Sequence, residues 1–380
     1  MIKKKSVGIV TLGNSTNYGG VLQATALYKT LKKLNYEPLM ITCQKMPSPW
    51  SSPIEYVKIR VRLYGSDGIY SKLRICGGVV KTLLSNAHYV KRKKKIDTFK
   101  TFIKRNLKST KYYSASEDII KSCPPMDIYV VGSDQVWNFE FTFGEFDERF
   151  LLKFTPENSK KYAYAASTGG KKSEEYIKKL LSEIRDFSAV SVREESLEEQ
   201  MKSQGGDAKT LLDPTFLMSS DEWIKLEKKP KAKLPKDYIL VYYLERSSKN
   251  DSIIERVYNN LGLPVVDIGS DYGKAKYKRI IVDTIGPAEF LYLAHHATYV
   301  ITNSFHMTVF SILFEKKFLT VSRVNQESRM EDLLHKLNMS EWLLKNEKDW
   351  SIILKEYVSP ISMLDQQKKE SINFLKKMRE

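Results

Sequence analysis

The segment Thr302–Thr308 (TNSFHMT) places a histidine among polar side chains directly after an apolar run. That run, Tyr299–Ile301, predicts the end of a strand, and a helix is expected to begin within a few residues. His306 would then stand where free N–H groups and the positive end of a helix dipole favour an anionic ligand. A histidine also donates or accepts a proton near neutral pH. The alternative is a cap rich in Ser and Asn, beside a histidine that only packs.

Two other strand ends carry side chains that suit a ligand. Arg193 ends an apolar strand, where its planar guanidinium would bind a carboxylate or phosphate in the same cleft. A salt bridge to a neighbouring glutamate is the alternative for this arginine. Asn14, Asn17 and Tyr18 follow the first strand of the chain. Polar amides in such a loop either bind ligand or satisfy the backbone of a turn.

Common nucleotide and hydrolase signatures are missing from the sequence. Gly169–Ser173 has neither the spacing nor the final residues of a P-loop, and Gly13–Gly20 is not the dinucleotide fingerprint. There is no G-x-S-x-G nucleophile motif. No cofactor is therefore expected.

The sequence also gives no spacing that is typical of a metal site. There is no H-E-x-x-H, and the three cysteines Cys43, Cys76 and Cys123 form no CxxC pair, which fits a reducing cytoplasm. The adjacent His295 and His296 should point to different faces of a helix, as one half-buried and one exposed histidine. No metal is expected.

The elements that must position these side chains form two α/β halves. Apolar, β-branched runs alternate with helical periodicity, which predicts parallel sheets with right-handed crossovers. Ligands of such folds bind at the carboxyl ends of the strands. The charged stretch Lys225–Lys236 is the candidate linker. It divides the 380 residues into domains over 1–230 and 231–360, with an amphipathic helix over 361–380 that is expected to pack back on the first domain.

A basic insertion over about 43–111 interrupts the first half. The net charge is +17, and Lys58–Lys111 alone holds 16 lysines and arginines against two acids. Lys91–Lys95 is an unbroken run of cations near interleaved apolar side chains, which suggests peripheral attachment to an anionic membrane surface. A solvated basic face is the alternative. No run of about 18 apolar residues predicts a spanning helix.

Five motifs in order resemble the polysaccharide pyruvyltransferase family, over about residues 7–337 without the basic insertion. They are Asn14–Gln23 (NSTNYGGVLQ), Val131–Asn138 (VGSDQVWN), Val190–Arg193 (VSVR), Leu212–Thr215 (LDPT) and Ile301–His306 (ITNSFH). The resemblance implies a GT-B-like fold, in which two Rossmann-like domains face each other across a cleft and a C-terminal helix returns to the first domain. It also implies an enzyme that moves the enolpyruvyl group of phosphoenolpyruvate onto two sugar hydroxyls as a ketal, for cell-surface polysaccharides such as capsule.

The resemblance assigns roles to particular residues. His306 matches the family's histidine and would be the catalytic acid. The arginine of the family's Arg-Leu-His is Ser304 here, and the family's following lysine has no counterpart near Arg323–Arg329. The donor's anionic groups would then be held by the following residues: Arg193, Asn303, Ser304, Arg323 and Arg329. The loops that would face the acceptor contain Asn14, Asn17, Tyr18, Asp134, Gln135 and Trp137.

The expected partners are phosphoenolpyruvate, a saccharide acceptor on a lipid carrier and the inner face of the membrane, with the enzyme in the cytoplasm. A GT-B-type glycosyltransferase that uses a nucleotide-sugar is the enzymatic alternative, since its fold would be the same. A nucleic-acid-binding protein that uses Lys58–Lys111 is the non-enzymatic alternative. No reading motif and few aromatic residues accompany that segment, so nucleic acid is not an expected partner.

Overall fold

A computed structural model describes residues 4–13, 15–43, 86–113, 116–139, 146–246, 248–269, 277–321, 327–344, 352–353 and 355–380. Within these residues the chain forms two six-stranded sheets, and every strand pair in both sheets is parallel. Helices cover the sheets, which explains why the central strands are continuous apolar runs rather than alternating ones. The predicted α/β class with two Rossmann-like sheets is confirmed.

The first sheet has the strand order β2-β1-β3-β4-β5-β6. Its strands are β1 Ser6–Val10, β2 Glu37–Met40, β3 Ile128–Val131, β4 Lys160–Ala166, β5 Ala189–Val192 and β6 Lys209–Thr210. The helices described in this half are α1 Tyr18–Lys33, α2 Asn86–Asn106, α3 Ser116–Ser122, α4 Glu174–Glu183, α5 Glu195–Ser203 and α6 Ser220–Ile224. A short 3₁₀ helix, Pro214–Leu217, precedes α6.

The second sheet has the strand order β12-β11-β10-β7-β8-β9. Its strands are β7 Ile239–Tyr242, β8 Val265–Asp267, β9 Arg279–Ile281, β10 Tyr299–Thr302, β11 Lys317–Val321 and β12 Leu343–Leu344. The accompanying helices are α7 Ser248–Leu261, α8 Pro287–His295, α9 Phe305–Leu313, α10 Glu327–Lys336 and α11 Asp365–Lys377. Among these, α9 begins at Phe305, within a few residues of the strand as predicted, so His306 lies in its first turn.

Each sheet has one place where the strand order reverses, and a crevice opens there at the carboxyl ends of the strands. In the first sheet this place lies between β1 and β3, where the Thr11 hydroxyl donates to the Ser133 carbonyl at 2.8 Å. In the second sheet it lies between β7 and β10, directly before His306. The two crevices therefore supply the loops that carry the predicted site residues.

The basic helix α2 packs between the two halves. Phe99 and Phe102 of α2 join the hydrophobic cluster of the second sheet, and Tyr18 stacks on Phe290 of α8 at 4.5 Å between ring centroids. Lys91 pairs with Asp283 at 2.8 Å. The described part of the basic insertion is thus one helix with an apolar face toward the domain junction. The segment 44–85 lies outside the described residues.

The C-terminal helix α11 returns to the first half, as predicted. Leu375 and Met378 are fully buried in the cluster that contains Val7 of β1. The Tyr36 hydroxyl donates to the Leu375 carbonyl at 2.7 Å, and this contact fixes the helix against the start of β2. No helix among the described residues has the length and hydropathy that crossing a bilayer requires.

Three short strands, β6, β9 and β12, are not predicted by the sequence. Each has two or three residues, and Lys209, Thr210 and Arg279 within them are polar. Strands of this length carry no periodic signal, so only pairing with a neighbouring strand creates them.

Candidate active site

A buried carboxylate, Asp213, is the centre of the polar cluster between the two halves. Its side chain is completely buried. Pro214 fixes the first residue of the 3₁₀ helix, and Asp213 caps that helix through its side chain. The Thr215 backbone N–H and hydroxyl donate to Asp213 Oδ1 at 3.0 and 2.7 Å. The other oxygen, Oδ2, accepts from the Ser133 hydroxyl at 3.0 Å and from Arg193 at 3.1 Å.

Arg193 lies among three carboxylates at the end of β5. Its guanidinium is 3.0 Å from Glu194, 3.1 Å from Asp213 and 3.6 Å from Asp134, and it stacks 4.1 Å from the centre of the Phe305 ring. Burial alone would lower the pKa of Arg193, but the surrounding carboxylates outweigh burial and raise it, so this side chain stays charged. The salt bridge to a neighbouring glutamate is therefore present. Arg193 Nη2 has no hydrogen-bond partner among the described residues.

His306 lies against both Asp213 and the first turn of α1. Its Nε2 is 3.5 Å from Asp213 Oδ2, a charge contact that is too long and too poorly aligned to be a hydrogen bond, and its side chain is 9% exposed. On the other side of the ring, Gly19 of α1 approaches so closely that a Cβ atom there would overlap the imidazole. The glycine thus allows α1 to contact the histidine directly.

The surroundings of Asp213 keep its carboxylate ionised. Burial alone would raise the pKa of Asp213, but His306, Arg193 and Thr215 together lower it below the usual range. The His306 imidazole therefore has an ionised carboxylate as its neighbour on the Nε2 side.

Two helix N-termini meet at His306. Asn17 caps α1 by accepting from the Gly20 N–H at 3.3 Å, and Ser304 caps α9 by accepting from the Met307 N–H at 3.4 Å. The remaining N–H groups of a first turn have no partner within their helix, and the helix dipole adds positive potential. This arrangement offers an anion two positive helix ends on either side of one histidine.

The remaining predicted donor residues have different surroundings. Both ends of the Asn303 amide hold the β7 loop, since Oδ1 accepts from the Leu244 N–H at 2.7 Å and Nδ2 donates to the Glu245 carbonyl at 2.7 Å. Ser304 forms the predicted cap. Arg329 of α10 lies near Arg193, in the same cavity, and Arg323 lies outside the described residues.

The loop residues predicted for the acceptor separate into two groups. Asp134 and Gln135 lie at the site, because Asp134 contacts Arg193 and the Gln135 amide faces the Arg329 guanidinium. Trp137 and Tyr18 are each 1% exposed. Tyr18 donates its hydroxyl to the Ile285 carbonyl at 3.2 Å, and Trp137 Nε1 donates to the Phe150 carbonyl at 3.2 Å, so both pack in the interior. Asn17 is exposed, and Asn14 lies outside the described residues.

Three residues of the site were not singled out from the sequence. In the sequence, Asp213 is marked only by the Leu212–Thr215 motif, Glu194 only by its position beside Arg193, and Gly19 only by its place in the Asn14–Gln23 motif. The one local signal was Asp-Pro-Thr, which is typical of a capped turn and says nothing about the histidine that the aspartate contacts.

Two cavities lie along the junction of the halves. The one beside the site is about 30 Å³, and Arg193, Asp213, Phe305 and Arg329 line it. A larger one, of about 880 Å³, runs along α2 and is lined by Lys93, Lys94 and the linker residues 225–228 among others. Arg193, Asp213 and Arg329 line the smaller cavity together, and His306 contacts its Asp213, so the predicted site residues gather at the smaller cavity rather than the larger one.

Comparison with solved structures finds the same architecture in several proteins, two UDP-GlcNAc 2-epimerases among them. The UDP-GlcNAc 2-epimerase of Methanocaldococcus jannaschii aligns over 98% of this chain and 99% of its own, with a TM-score of 0.54 and 14% identity. The UDP-GlcNAc 2-epimerase of Neisseria meningitidis aligns over 99% of this chain and 100% of its own, with a TM-score of 0.53 and 11% identity. The S. aureus protein MnaA, solved with UDP, aligns over 94% of this chain and 92% of its own, with a TM-score of 0.52 and 10% identity. At such identities these likenesses concern the fold alone, which is GT-B-like.

Comparison with curated proteins finds no match. The family model described as "Polysaccharide pyruvyl transferase" matches residues 17–324, a span that includes α1, Arg193, Asp213 and His306. Because this match extends over well more than half of the chain, the protein belongs to the polysaccharide pyruvyl transferase family.

Proposed function

We propose that this protein transfers the enolpyruvyl group of phosphoenolpyruvate to two hydroxyls of a saccharide, as a ketal, and releases phosphate. Family membership supports a transferase with a saccharide acceptor. The observation that supports the finer proposal is the placement of His306, which contacts a buried carboxylate and lies between the N-termini of α1 and α9.

In the proposed reaction, protonated His306 gives its proton to the methylene carbon of the donor, which becomes a methyl group. The neighbouring carbon becomes cationic, and a sugar hydroxyl forms a C–O bond to it. The bond to phosphate then breaks, and the second hydroxyl closes the ketal. Each hydroxyl loses its proton as its bond forms; one of these protons returns to His306 and the other leaves with phosphate. Asp213 offsets the charge of the imidazolium throughout.

The donor carries a phosphate and a carboxylate, and both need positive partners. We assign this role to the two helix N-termini, to Arg329 and to Arg193, whose Nη2 has no partner among the described residues. Three carboxylates already surround Arg193. Its positive charge is therefore largely balanced, and the helix ends would supply much of the attraction.

The described cavity beside Arg193 and Asp213 is about 30 Å³, which is room for about one water molecule and not for two substrates. Binding of donor and acceptor would therefore require the two halves to separate at the junction. Closure around the substrates would then exclude water from a cationic intermediate that water would otherwise destroy.

We also propose that α2 brings the enzyme to an anionic membrane surface, where a lipid-linked acceptor would be found. Lys93 and Lys94 are exposed on α2, and so is Val90, with 64% of its surface accessible. Lys91 and Lys95 have other contacts, because Lys91 pairs with Asp283 and Lys95 lies 4.8 Å from the Tyr18 ring centre. The exposed pair therefore carries this proposal.

The test is phosphate release from phosphoenolpyruvate with a panel of lipid-linked hexosides, with mass spectrometry of the saccharide product. Wild type should release phosphate and add the mass of one pyruvyl ketal. His306→Ala should lower the rate by about 10²–10⁴-fold, the usual contribution of a general acid. His335→Ala, on the exposed side of α10, is the matched control and should leave the rate unchanged. Release of a nucleotide from nucleotide-sugars, with no phosphate from phosphoenolpyruvate, would favour the glycosyltransferase instead.

A further inference from the structure

Two adjacent histidines at the end of α8 share one carboxylate from the linker. His295 Nδ1 is 2.9 Å from Glu227 Oε2, and His296 Nε2 is 3.2 Å from Glu227 Oε1. The side chains of His295, His296 and Glu227 are 28%, 42% and 16% exposed. The histidines thus have the exposures that the sequence predicts, but they do not diverge, because His296 lies just past the helix and turns back to the same carboxylate.

The three donor atoms have the spacing of a metal site. One nitrogen of each histidine and one oxygen of Glu227 lie within 4.8 Å of one another, and the nitrogen–oxygen contacts, each to a different oxygen of Glu227, are 2.9 and 3.2 Å. Ligands about 2.0–2.2 Å from a tetrahedral zinc ion are separated by about 3.3 Å. Rotation of the exposed His296 ring would be the movement that brings all three atoms to one cation.

The neighbouring residues hold the two rings in place. His295 lies 5.1 Å from the Phe314 ring centre, and His296 stacks on Tyr292 at 4.0 Å. The Lys228 backbone N–H donates to the Ala288 carbonyl at 3.0 Å, which fixes the linker segment that carries Glu227 against α8. Glu227 and His295 are therefore held close to their positions in the site, and only the more exposed His296 ring would have to move to bind a cation.

The local charge does not oppose a cation strongly. Lys228, the nearest lysine along the linker, pairs with Glu289 at 3.4 Å. A set of two imidazoles and one carboxylate is typical of Zn²⁺ and related transition metals, whereas Mg²⁺ and Ca²⁺ prefer oxygen ligands alone. Three protein ligands leave a fourth position open to water.

We propose that Glu227, His295 and His296 bind one Zn²⁺ ion, or a transition metal of similar preference, which fastens the linker between the two halves to α8. The site contains none of the residues assigned to pyruvyl transfer. It borders the larger cavity along α2, which Glu227 also lines. Its role would be to fix the linker, and the proposal does not depend on the proposed reaction.

The test is calorimetric titration of Zn²⁺ into the full-length protein after chelator treatment and dialysis. Wild type should bind one ion per chain in a saturable step. Because loss of even a supporting partner at metal sites weakens binding by about 10–100-fold, His295→Ala and His296→Ala should each weaken it by at least that range. Zn²⁺ should also raise the melting temperature of wild type, and it should not raise that of the double variant.

Two further variants separate a metal site from a hydrogen-bonded surface cluster. Glu227→Gln keeps the shape and a hydrogen-bonding side chain but removes the anionic ligand, so it should also weaken Zn²⁺ binding. His335→Ala, an exposed histidine elsewhere, should bind as wild type does. The proposal is wrong if wild type shows no saturable binding, if binding survives in the double histidine variant, or if Glu227→Gln leaves the affinity unchanged.

Discussion

His306 Nε2 lies 3.5 Å from Asp213 Oδ2, and this contact joins the two halves of the molecule at the candidate active site. Asp213 belongs to the first half and His306 to the first turn of α9 in the second half. The imidazole and the carboxylate therefore approach each other only when the halves are packed together. Separation of the halves would leave the histidine without its carboxylate.

Asp213→Asn should abolish most of the activity while it keeps the shape of the site. The amide cannot offset an imidazolium charge. We therefore expect the rate of phosphate release to fall by about 10²–10⁴-fold, the usual contribution of a general acid. Initial rates of phosphate release at saturating phosphoenolpyruvate measure this effect. A variant that folds normally and keeps its rate would show that His306 needs no carboxylate.

The stability of the protein should depend on pH through the same carboxylate. The pKa of Asp213 is lower in the folded state than its unfolded value of about 3.9, so its ionisation stabilises the fold above about pH 4, and the contribution is lost as pH falls toward the folded pKa. Urea unfolding at a series of pH values from 7 to 3 gives the free energy of unfolding of wild type and of Asp213→Asn. The difference between these two free energies should be constant above pH 5 and should shrink below pH 4. Asp207→Asn, at an exposed position, should follow wild type at every pH.

Gly19→Ala should inactivate the enzyme although glycine takes no part in the chemistry. A Cβ atom at position 19 would overlap the His306 imidazole, so the ring or α1 must move. A displacement of about 1 Å at a catalytic group costs on the order of 10²-fold in rate.

Gly262→Ala provides the control for the glycine substitution itself. Nothing lies within 4 Å of a Cβ there, and the backbone φ is +65°, so the variant should lose about 1–2 kcal/mol of stability and no activity. Equal rates for Gly19→Ala and wild type would mean that His306 tolerates displacement, which would contradict its role as the acid.

Arg193→Lys should raise the KM for phosphoenolpyruvate and lower stability. A lysine keeps the positive charge but cannot reach Glu194 and Asp213 with a planar fork or stack on Phe305. A buried carboxylate that loses its hydrogen-bond partner lowers the free energy of unfolding by about 1–3 kcal/mol, and chemical unfolding would detect this loss. A donor KM equal to that of wild type, with only stability reduced, would mean that Arg193 serves the carboxylates alone.

Lys93→Ser/Lys94→Ser should weaken binding to vesicles with about 30% anionic lipid, since each basic residue near such a surface contributes about 1 kcal/mol. Two such contributions correspond to about 10–30-fold in affinity. Sedimentation at low and high salt measures the effect, and salt should weaken the binding of wild type because the Debye length is about 10 Å at 0.1 M.

Lys376→Ser/Lys377→Ser removes the same charge from an exposed part of α11 and is the matched control. If both double variants lost vesicle binding equally, the net charge of the protein, and not α2, would attract it to lipid. A wild type that stays in the supernatant at low salt would exclude the membrane role.

The sequence by itself determined the fold class and the position of His306. Continuous apolar runs such as Tyr299–Thr302 are buried on both faces of a parallel sheet, and that burial is a local property of residue type. The order of strands and helices then places every strand end at one edge of its sheet. A histidine directly after such a strand must lie near the crevice, whatever else surrounds it.

Only the tertiary structure decided which side chains are partners. Asp213 lies far from His306 along the chain, and Glu227 is 68 residues from His295. Spacing along the chain carries no information about such pairs, because they form where separate elements pack. The same reason applies to Arg193, for which the sequence leaves a donor anion and a glutamate as alternative partners. Glu194 is the next residue in the chain, but packing of β5 against the Asp213 turn supplies the second carboxylate that Arg193 contacts.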